Sequence, residues 1–233
     1  IDPRRFTGYA TVELTALKAI EDYQNEFRFH FPHEHRPAGR NAKTTPLTPV
    51  LAAEGAKFTI VNGWERLDYI KPSPDFHPSL SFDFDEAFDV VATEVANVAA
   101  NVGLTEVNGF NRIEITGEDR HAFLDRMICG TVTKRGGRVG LGYLLNKQGC
   151  VKAEATVANL PASDRGPDRV WYGSAAASEY HDMDWLTAHL DPGEDVQLRS
   201  LTNDHTILVL AGPKARAVLS DCARGDWSAA AFP

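Results

Sequence analysis

The chain has 233 residues, of which 43% are hydrophobic and 24% charged, and its formal net charge is −8. This length and composition are typical of a globular protein with one large domain or two smaller ones, and no apolar run approaches the roughly 18 residues of a membrane span. The acidic balance argues against general nucleic-acid binding, which depends mainly on neutralising phosphate charge.

The cysteines indicate the redox compartment. Cys129, Cys150 and Cys222 form neither a disulfide framework nor a CxxC motif, which is typical of a reducing compartment. We expect each of them to be a small buried side chain.

The N-terminal part of the chain predicts a helix and then an irregular segment. Residues 11–29 have apolar side chains at helical spacing, namely Ala16, Ile20, Tyr23 and Phe27. Four prolines between residues 30 and 50 predict an irregular connector. The sequence FTIVNGW, residues 58–64, predicts a short strand that ends in a turn at Asn62-Gly63.

A linker is predicted next. Residues 71–83 contain three prolines and no periodic pattern. We therefore divide the chain into a connector region, residues 1–70, and a second domain, residues 71–233.

The connector holds the sequence HFPHEHRPAGR, residues 30–40, with three histidines and a glutamate. A helical zinc motif needs two histidines four residues apart on one face. Here His30, His33 and His35 lie three and two apart, and Pro32 interrupts any helix. The pattern favours a structural turn and assigns no metal ligand, while a metal held by the loop is the alternative.

The second domain predicts mixed helices and strands. The first predicted helix is capped by Asp83 and Glu86 and ends at Gly103; a strand over 110–116 and a helix over 119–129 follow. Next come a hairpin of 138–145 and 150–160, joined at Asn146–Gly149, and a strand over 170–175. The last elements are a helix over 179–190 capped by Ser178, strands in VQLRSL and HTILVLAG, and a helix over 213–220. This order, without a GxGxxG fingerprint, predicts an α+β fold with antiparallel sheets rather than a Rossmann fold.

The second hairpin strand, CVKAEATVANL, carries candidate chemistry. Period-two alternation puts Lys152, Glu154 and Thr156 on one face, opposite Val151, Ala153, Ala155 and Val157. One interpretation is a solvated outer face. The other is a carboxylate in a ligand pocket, where it accepts a hydrogen bond from an N–H group or stabilises positive charge on an amine or iminium.

Two further polar segments have weaker patterns. The loop from Lys134 to Arg138 is basic and glycine-rich, so it is either an anion site or an exposed turn. His181 and Asp182 fall in the first turn of a helix, which predicts a surface helix end.

Five segments, taken together and in order, resemble one family. They are FHFPHEHRPAGR with NGWERLDY, FNRIEITGEDRHAFLDRM, GYLLNKQGCVKAEATVANL, the E-x-H-D-x-x-W-L pattern at Glu179–Leu186, and ILVLAGPKARAVL. They are similar to the folate-side half of the flavin-dependent dimethylglycine and sarcosine dehydrogenases. That half is similar to the T-protein, the aminomethyltransferase of the glycine cleavage system. The resemblance covers nearly the whole chain.

The resemblance implies roles for particular residues. Glu154 matches the aspartate that hydrogen-bonds the pteridine end of tetrahydrofolate in T-proteins, with a side chain one carbon longer. Phe110, Leu141 and Gly173 match positions that line the folate pocket, and Tyr143 is expected near it. Phe110 and Leu141 are also suitable as plain core residues.

The resemblance assigns the connector a structural role. The segment like FPHEHRPAGR joins the flavin domain to the folate-binding domain in the family. Arg36, Arg40 and Glu34 are then expected to form ion pairs across a domain junction, each worth about 0–1 kcal/mol if exposed.

The resemblance also implies a function. A flavin domain oxidises an N-methyl amine, and tetrahydrofolate captures the one-carbon unit as 5,10-methylenetetrahydrofolate. This chain has no flavin fingerprint, so FAD is expected in an absent flavin domain or subunit, the main partner besides the methylated amine. The expected location is the cytoplasm, or the mitochondrial matrix in a eukaryote.

The chain ends fit an incomplete enzyme. IDPRRF resembles the stretch after the flavin domain, and the chain stops before the family's Y-T-G-E-x-G-like segment, so we expect the isolated chain to be inactive. Two alternatives remain: a folate-dependent demethylase that uses another methyl donor, and a non-catalytic scaffold domain.

Overall fold

The computed structural model describes residue 6, residues 8–163 and residues 166–231. The chain divides into two compact units. We call residues 108–206 the sheet unit, and residues 8–107 with the stretch from 207 onward the hairpin unit. Most of the motif IDPRRF and the terminal Phe232-Pro233 lie outside the described residues. The domain division predicted at residue 70 stays a prediction.

The described helices and strands follow a mixed order. The helices are α1 (Val12–Gln24), α2 (Thr48–Ala53), α3 (Glu86–Ala100), α4 (Arg120–Met127), α5 (Glu179–Ala188) and α6 (Ala215–Cys222). The strands are β1 (Ala56–Val61), β2 (Trp64–Ile70), β3 (Gly103–Glu106), β4 (Ile113–Thr116), β5 (Ile128–Cys129), β6 (Val139–Leu145), β7 (Val151–Leu160), β8 (Arg169–Gly173), β9 (Gln197–Ser200) and β10 (Leu208–Ala211).

The hairpin unit takes its name from the antiparallel pair of β1 and β2. Asn62 and Gly63 both have positive φ, 51° and 82°, which is the requirement of a two-residue type I′ turn. A Cβ atom on Gly63 would lie 2.4 Å from the Tyr9 ring. The predicted strand and turn are confirmed, and the second strand, β2, follows directly.

Helix α1 is shorter than the predicted helix. It ends at Gln24, where the Asn25 side-chain amide donates to the Glu21 carbonyl at 2.7 Å. Two residues of the predicted apolar face, Tyr23 and Phe27, are 80% and 93% exposed. The spacing therefore predicted a helix correctly but not its length.

Helix α3 has a different cap from the predicted one. The carboxylate of Asp85, not Asp83, accepts a hydrogen bond from the Ala87 amide at 2.9 Å. The Glu86 carboxylate accepts from the Ser79 amide at 2.8 Å instead of closing a capping box. The predicted Asp83–Glu86 cap is wrong because the chain enters the helix two residues later.

The sheet unit contains one antiparallel sheet in the order β5-β6-β7-β8-β4-β9. Its core joins one face of the sheet to α4 and α5. The buried residues are Ile113, Ile115, Phe123, Leu124, Ile128, Val132, Leu144, Ala155, Val157, Val170, Tyr172, Leu186 and Val196. The predicted hairpin of β6 and β7 is confirmed, and Ile113 and Ile115 of β4 are fully buried.

Several predicted boundaries shift. The helix predicted over 119–129 ends at Met127, because Ile128 and Cys129 pair with β6. Ser178 stands at the start of α5 but makes no side-chain cap. The prediction of buried cysteines is wrong, since Cys129, Cys150 and Cys222 are all exposed. The α+β class with antiparallel sheets is confirmed.

Candidate functional site

Glu154 and Thr156 lie on the sheet face opposite the hydrophobic core. Along β7 the residues between them and after them, Ala155 and Val157, are 1% and 4% exposed and belong to the core. Glu154 and Thr156 are exposed. The predicted alternation is confirmed for these four residues but not for Val151, which is 62% exposed. We call the Glu154 side the outer face.

Strand register brings the predicted site residues together on this face. Tyr143 pairs directly with Glu154, and Leu141 pairs with Thr156. Thr156 in turn pairs with Gly173. Side chains of directly paired residues are neighbours, with Cβ atoms about 4.5–5.5 Å apart.

Phe110 joins the same row from the far strand. It forms an isolated antiparallel bridge with Ala175. Continuing the β7–β8 register by two residues places Ala175 opposite Glu154. The row across the sheet is therefore Tyr143, Glu154, Ala175 and Phe110.

The outer face is open and partly apolar. Leu141, Phe110 and Tyr143 are 63%, 47% and 39% exposed, so Phe110 and Leu141 are not core residues of this chain. A Cβ atom on Gly173 would approach the Asn111 carbonyl oxygen to 3.3 Å. Gly173 has no side chain, so only backbone is present at this point of the outer face.

The Glu154 carboxylate is available for a ligand. Within the described residues it makes no hydrogen bond or ion pair. Lys152 was predicted on the same face but does not neutralise the charge of Glu154. Its ammonium lies 4.3 Å from the ring centroid of Trp185 in α5, on the core side of the sheet. A register shift between Leu144 and Leu145 interrupts the alternation at this point, so the predicted placement of Lys152 is wrong.

The segment after β9 borders the outer face on one side. Arg112 is 4% exposed and donates through Nη2 to the Thr202 carbonyl, and the rings of Trp171 and His205 meet edge to face at 5.4 Å. Burial lowers the pKa of Arg112, an effect that the nearby Glu179 charge opposes. Sequence pattern gave no signal for this buried arginine.

Asp182 is buried, contrary to the predicted surface helix end. It is 0% exposed. Its Oδ2 accepts hydrogen bonds from the Tyr172 hydroxyl at 3.0 Å, from the Ser174 hydroxyl and from the side-chain amide of Asn111 at 3.4 Å. Its Oδ1 lies 3.1 Å from Nδ1 of His181. Burial raises the pKa of Tyr172, and the Asp182 charge raises it further.

The basic loop, residues 134–138, forms an exposed turn that leads into β6. The Gly137 amide donates to the Asn159 carbonyl at 2.7 Å, and the Asn159 amide donates to the Arg138 carbonyl at 2.9 Å. The Lys134 ammonium lies 3.0 Å from the Asp125 carboxylate. The exposed-turn interpretation describes this geometry, and anion binding stays a hypothesis.

The three connector histidines have separate surroundings. His30 contacts Arg36, whereas Nδ1 of His35 lies 3.2 Å from the Thr59 hydroxyl. His33 has a φ of 60°, and it lines, with His35 and Lys57, a cleft of about 860 Å³ in the hairpin unit. In the part of the chain that the structure describes, no group of three or more His, Cys, Asp or Glu side chains is arranged to hold a metal ion.

The connector ion pairs lie within the hairpin unit. Arg36 pairs with Asp22, and Arg28 pairs with Glu34 at 2.8 Å. The guanidinium of Arg40 donates through Nε to Glu65 at 2.9 Å. Arg36, Arg40 and Glu34 therefore pair with residues of this unit, and ion pairs across a junction with a flavin domain stay a prediction.

The fold places the chain in a known structural class. The crystal structure of glycine cleavage system aminomethyltransferase T from Bartonella henselae matches with a TM-score of 0.61 and 23% sequence identity, over 79% of this chain and 45% of that chain. The fold is thus of the aminomethyltransferase T type, as predicted.

The sequence comparisons identify the family. The model of the GCVT N-terminal domain matches residues 47–233, and the chain belongs to this family. The model of the FAD dependent oxidoreductase central domain matches residues 1–45.

Curated relatives agree with this assignment. Rat mitochondrial dimethylglycine dehydrogenase is 30% identical over 98% of this chain and 26% of its own length. Sarcosine oxidase subunit alpha of Rhizobium meliloti is 30% identical over 88% of this chain and 19% of its own, and human mitochondrial sarcosine dehydrogenase is 23% identical over 93% and 27%. The chain thus spans about a quarter of the length of most of these relatives, and the predicted resemblance is confirmed. Across the described residues, no helix is long and apolar enough to cross a membrane.

Proposed function

We propose that the outer face of the sheet unit binds tetrahydrofolate, as part of an FAD-dependent N-methyl amine dehydrogenase or oxidase of the dimethylglycine and sarcosine type. One observation carries this proposal. An exposed carboxylate, Glu154, has no partner within the described residues and stands in one row with Tyr143 and Phe110.

The residues of this face fit a flat, nitrogen-rich ring. An ionised carboxylate is a pure acceptor, so Glu154 suits N–H donors at the edge of such a ring. The exposed rings of Tyr143 and Phe110 offer aromatic surface on either side. Gly173 adds no side chain, and Leu141 adds apolar area.

The role of this chain is then binding and orientation. Bound tetrahydrofolate would supply the nitrogen nucleophiles that take up a one-carbon unit as 5,10-methylenetetrahydrofolate. Glu154 would hold the N–H edge and stabilise positive charge that develops beside it. Tyr143 and Phe110 would fix the plane of the ring, which lowers the entropic cost of the reaction.

The flavin chemistry belongs to another part of the enzyme. The match of residues 1–45 to a central domain of FAD dependent oxidoreductases supports a flavin domain or subunit as the partner, and this chain contains no GxGxxG sequence. A methylated amine is the proposed substrate of that part.

The same match favours the flavin-linked enzyme over a folate-dependent demethylase that uses another methyl donor. Residues 71–233 would form the folate-binding domain. The mitochondrial relatives support the matrix as the location in a eukaryote.

Replacement of the carboxylate tests the proposal. In an amide chemical-shift titration of the 233-residue chain with tetrahydrofolate, which detects millimolar affinity, we expect Glu154→Gln to raise Kd at least tenfold, about 1.4 kcal/mol. The matched control is Glu118→Gln, which removes an exposed carboxylate in the turn after β4. Equal Kd values for Glu154→Gln and wild type would reject the role of Glu154. Absence of binding by the wild type, both in the 233-residue chain and in the flavin-containing enzyme, would favour the scaffold alternative.

A further inference from the structure

Asp182 accepts hydrogen bonds from residues at the end of β8 and just before the start of β4. One of its oxygens, Oδ2, accepts from Tyr172 and Ser174 at the end of β8 and from Asn111 before β4. Asp182 itself lies on α5, which packs on the core face. A single carboxylate thus ties a helix to two neighbouring strands.

Asn111 and Ser174 are also bound directly to each other. The Asn111 amide donates to the Ser174 carbonyl at 2.8 Å, and the Ser174 amide donates to the Asn111 side-chain oxygen at 2.8 Å. The Asn111 side-chain amide donates to the Ser174 hydroxyl at 2.8 Å. These bonds leave the two residues little freedom relative to each other.

The residues next to this pair belong to the outer face. Phe110 precedes Asn111, and Gly173 and Ala175 flank Ser174. Side chains of neighbouring strand residues point to opposite faces. The network on the core side therefore fixes the backbone from which half of the Glu154 row is built.

We infer that Asp182 is a positioning residue of the ligand site on the outer face, an inference that rests on the proposed function. It acts through Asn111 and Ser174 and touches no ligand. Buried donors that lose their acceptor are costly, so without the carboxylate the strand ends reorganise. Such displacement moves Phe110 and Gly173, and a site loosened by about 1 Å loses much of its affinity.

Three variants separate positioning from general stability. Asp182→Ala removes the acceptor, and we expect the Kd for tetrahydrofolate to rise at least tenfold. Asp182→Asn keeps a carbonyl oxygen for the three donors and should restore Kd to within about threefold of wild type, because the acceptor geometry is kept. Leu186→Ala opens a hole in the same helix, so it should lower the melting temperature and leave Kd unchanged.

A readout without ligand separates this inference from the proposed function. In ¹H–¹⁵N spectra, Asp182→Ala should shift the amide resonances of Phe110 and Ala175 more than that of Tyr143 on β6. Ser174→Ala is measured in the same way if Asp182→Ala does not fold. Unmoved resonances, or equal loss of affinity in Leu186→Ala, would overturn the positioning role. Failure of the wild type to bind tetrahydrofolate, in the flavin-containing enzyme as well as in this chain, would reject the proposed function, while the resonances still decide the inference.

Discussion

Glu65 shows how one residue anchors the connector to the hairpin. Its side chain is 2% exposed and accepts hydrogen bonds from Nε of Arg40 at 2.9 Å and from the Asn41 amide at 2.7 Å. Burial alone raises the pKa of Glu65, but these hydrogen bonds and the Arg40 charge outweigh it, so the pKa lies below that of an ordinary glutamate. We expect Glu65→Gln to reduce the free energy of unfolding by about 1–3 kcal/mol at neutral pH, because charged hydrogen bonds are lost.

This contribution depends on pH with a definite sign. A carboxyl group with a lowered folded-state pKa stabilises the protein above its unfolded pKa, and the stabilisation is lost as the pH falls through the folded pKa. Urea unfolding at pH 6 and at successively lower pH should therefore show the gap between wild type and Glu65→Gln narrowing below about pH 4.5. Glu26→Gln, an exposed carboxylate in the same unit, is the control. A gap that stays constant with pH would contradict the assignment.

At the residue scale, sequence pattern predicted the alternation of part of β7 but neither the partners nor the burial of several other residues. It placed Glu154 on the face away from the core from alternation alone. It did not find the partner of Arg40, because Glu65 lies 25 residues further along the chain. It also placed Asp182 at the surface, since its hydrogen-bond donors include Asn111, 71 residues away. Such partners depend on strand order, which a short window of sequence does not contain.

At the scale of the element, Gly142 permits the close approach of β5 to β6. A Cβ atom at this position would lie 2.2 Å from Cγ2 of Ile128, whose side chain is 5% exposed. Overpacking of a buried site costs about 1–3 kcal/mol. We expect Gly142→Ala to lower the free energy of unfolding by this amount in urea denaturation.

The same strand provides a matched control. A Cβ atom on Gly140 would meet only the Thr131 carbonyl oxygen, at an ordinary 3.8 Å. Gly140→Ala should leave stability unchanged or slightly increased, because alanine has less freedom in the unfolded chain. Equal losses in Gly140→Ala and Gly142→Ala would show that contact with Ile128 is not the cause.

The sequence predicted whether a segment forms a helix or a strand better than it predicted where that element begins and ends. The hairpin of β6 and β7 was predicted because turn residues separate two alternating runs. Helix α4 ended two residues before its predicted end, since Ile128 and Cys129 find a strand partner in β6. The register shift near Leu145, which moves Lys152 to the core side, depends on side-chain packing that alternation does not encode.

At the scale of the whole molecule, the apolar core is concentrated in one unit. Every member of the buried core cluster falls between Ile113 and Val196. In the described part of the hairpin unit, the buried hydrophobic residues are Trp64 and Tyr69, and no residue of α3 is buried. The predicted linker and helices of the N-terminal half thus carry little of the burial that stabilises the fold.

This distribution predicts unequal stability of the two units. Local opening is easiest where few apolar contacts are buried, so amides of α1 and α3 should exchange with deuterium much faster than those of β4, β7 and β8. Mass spectrometry of the 233-residue chain at neutral pH measures this directly. The expected ratio is at least tenfold, equivalent to about 1.4 kcal/mol in opening free energy. Equal protection of α3 and β7 would mean that the hairpin unit is stabilised to the same extent without a comparable core.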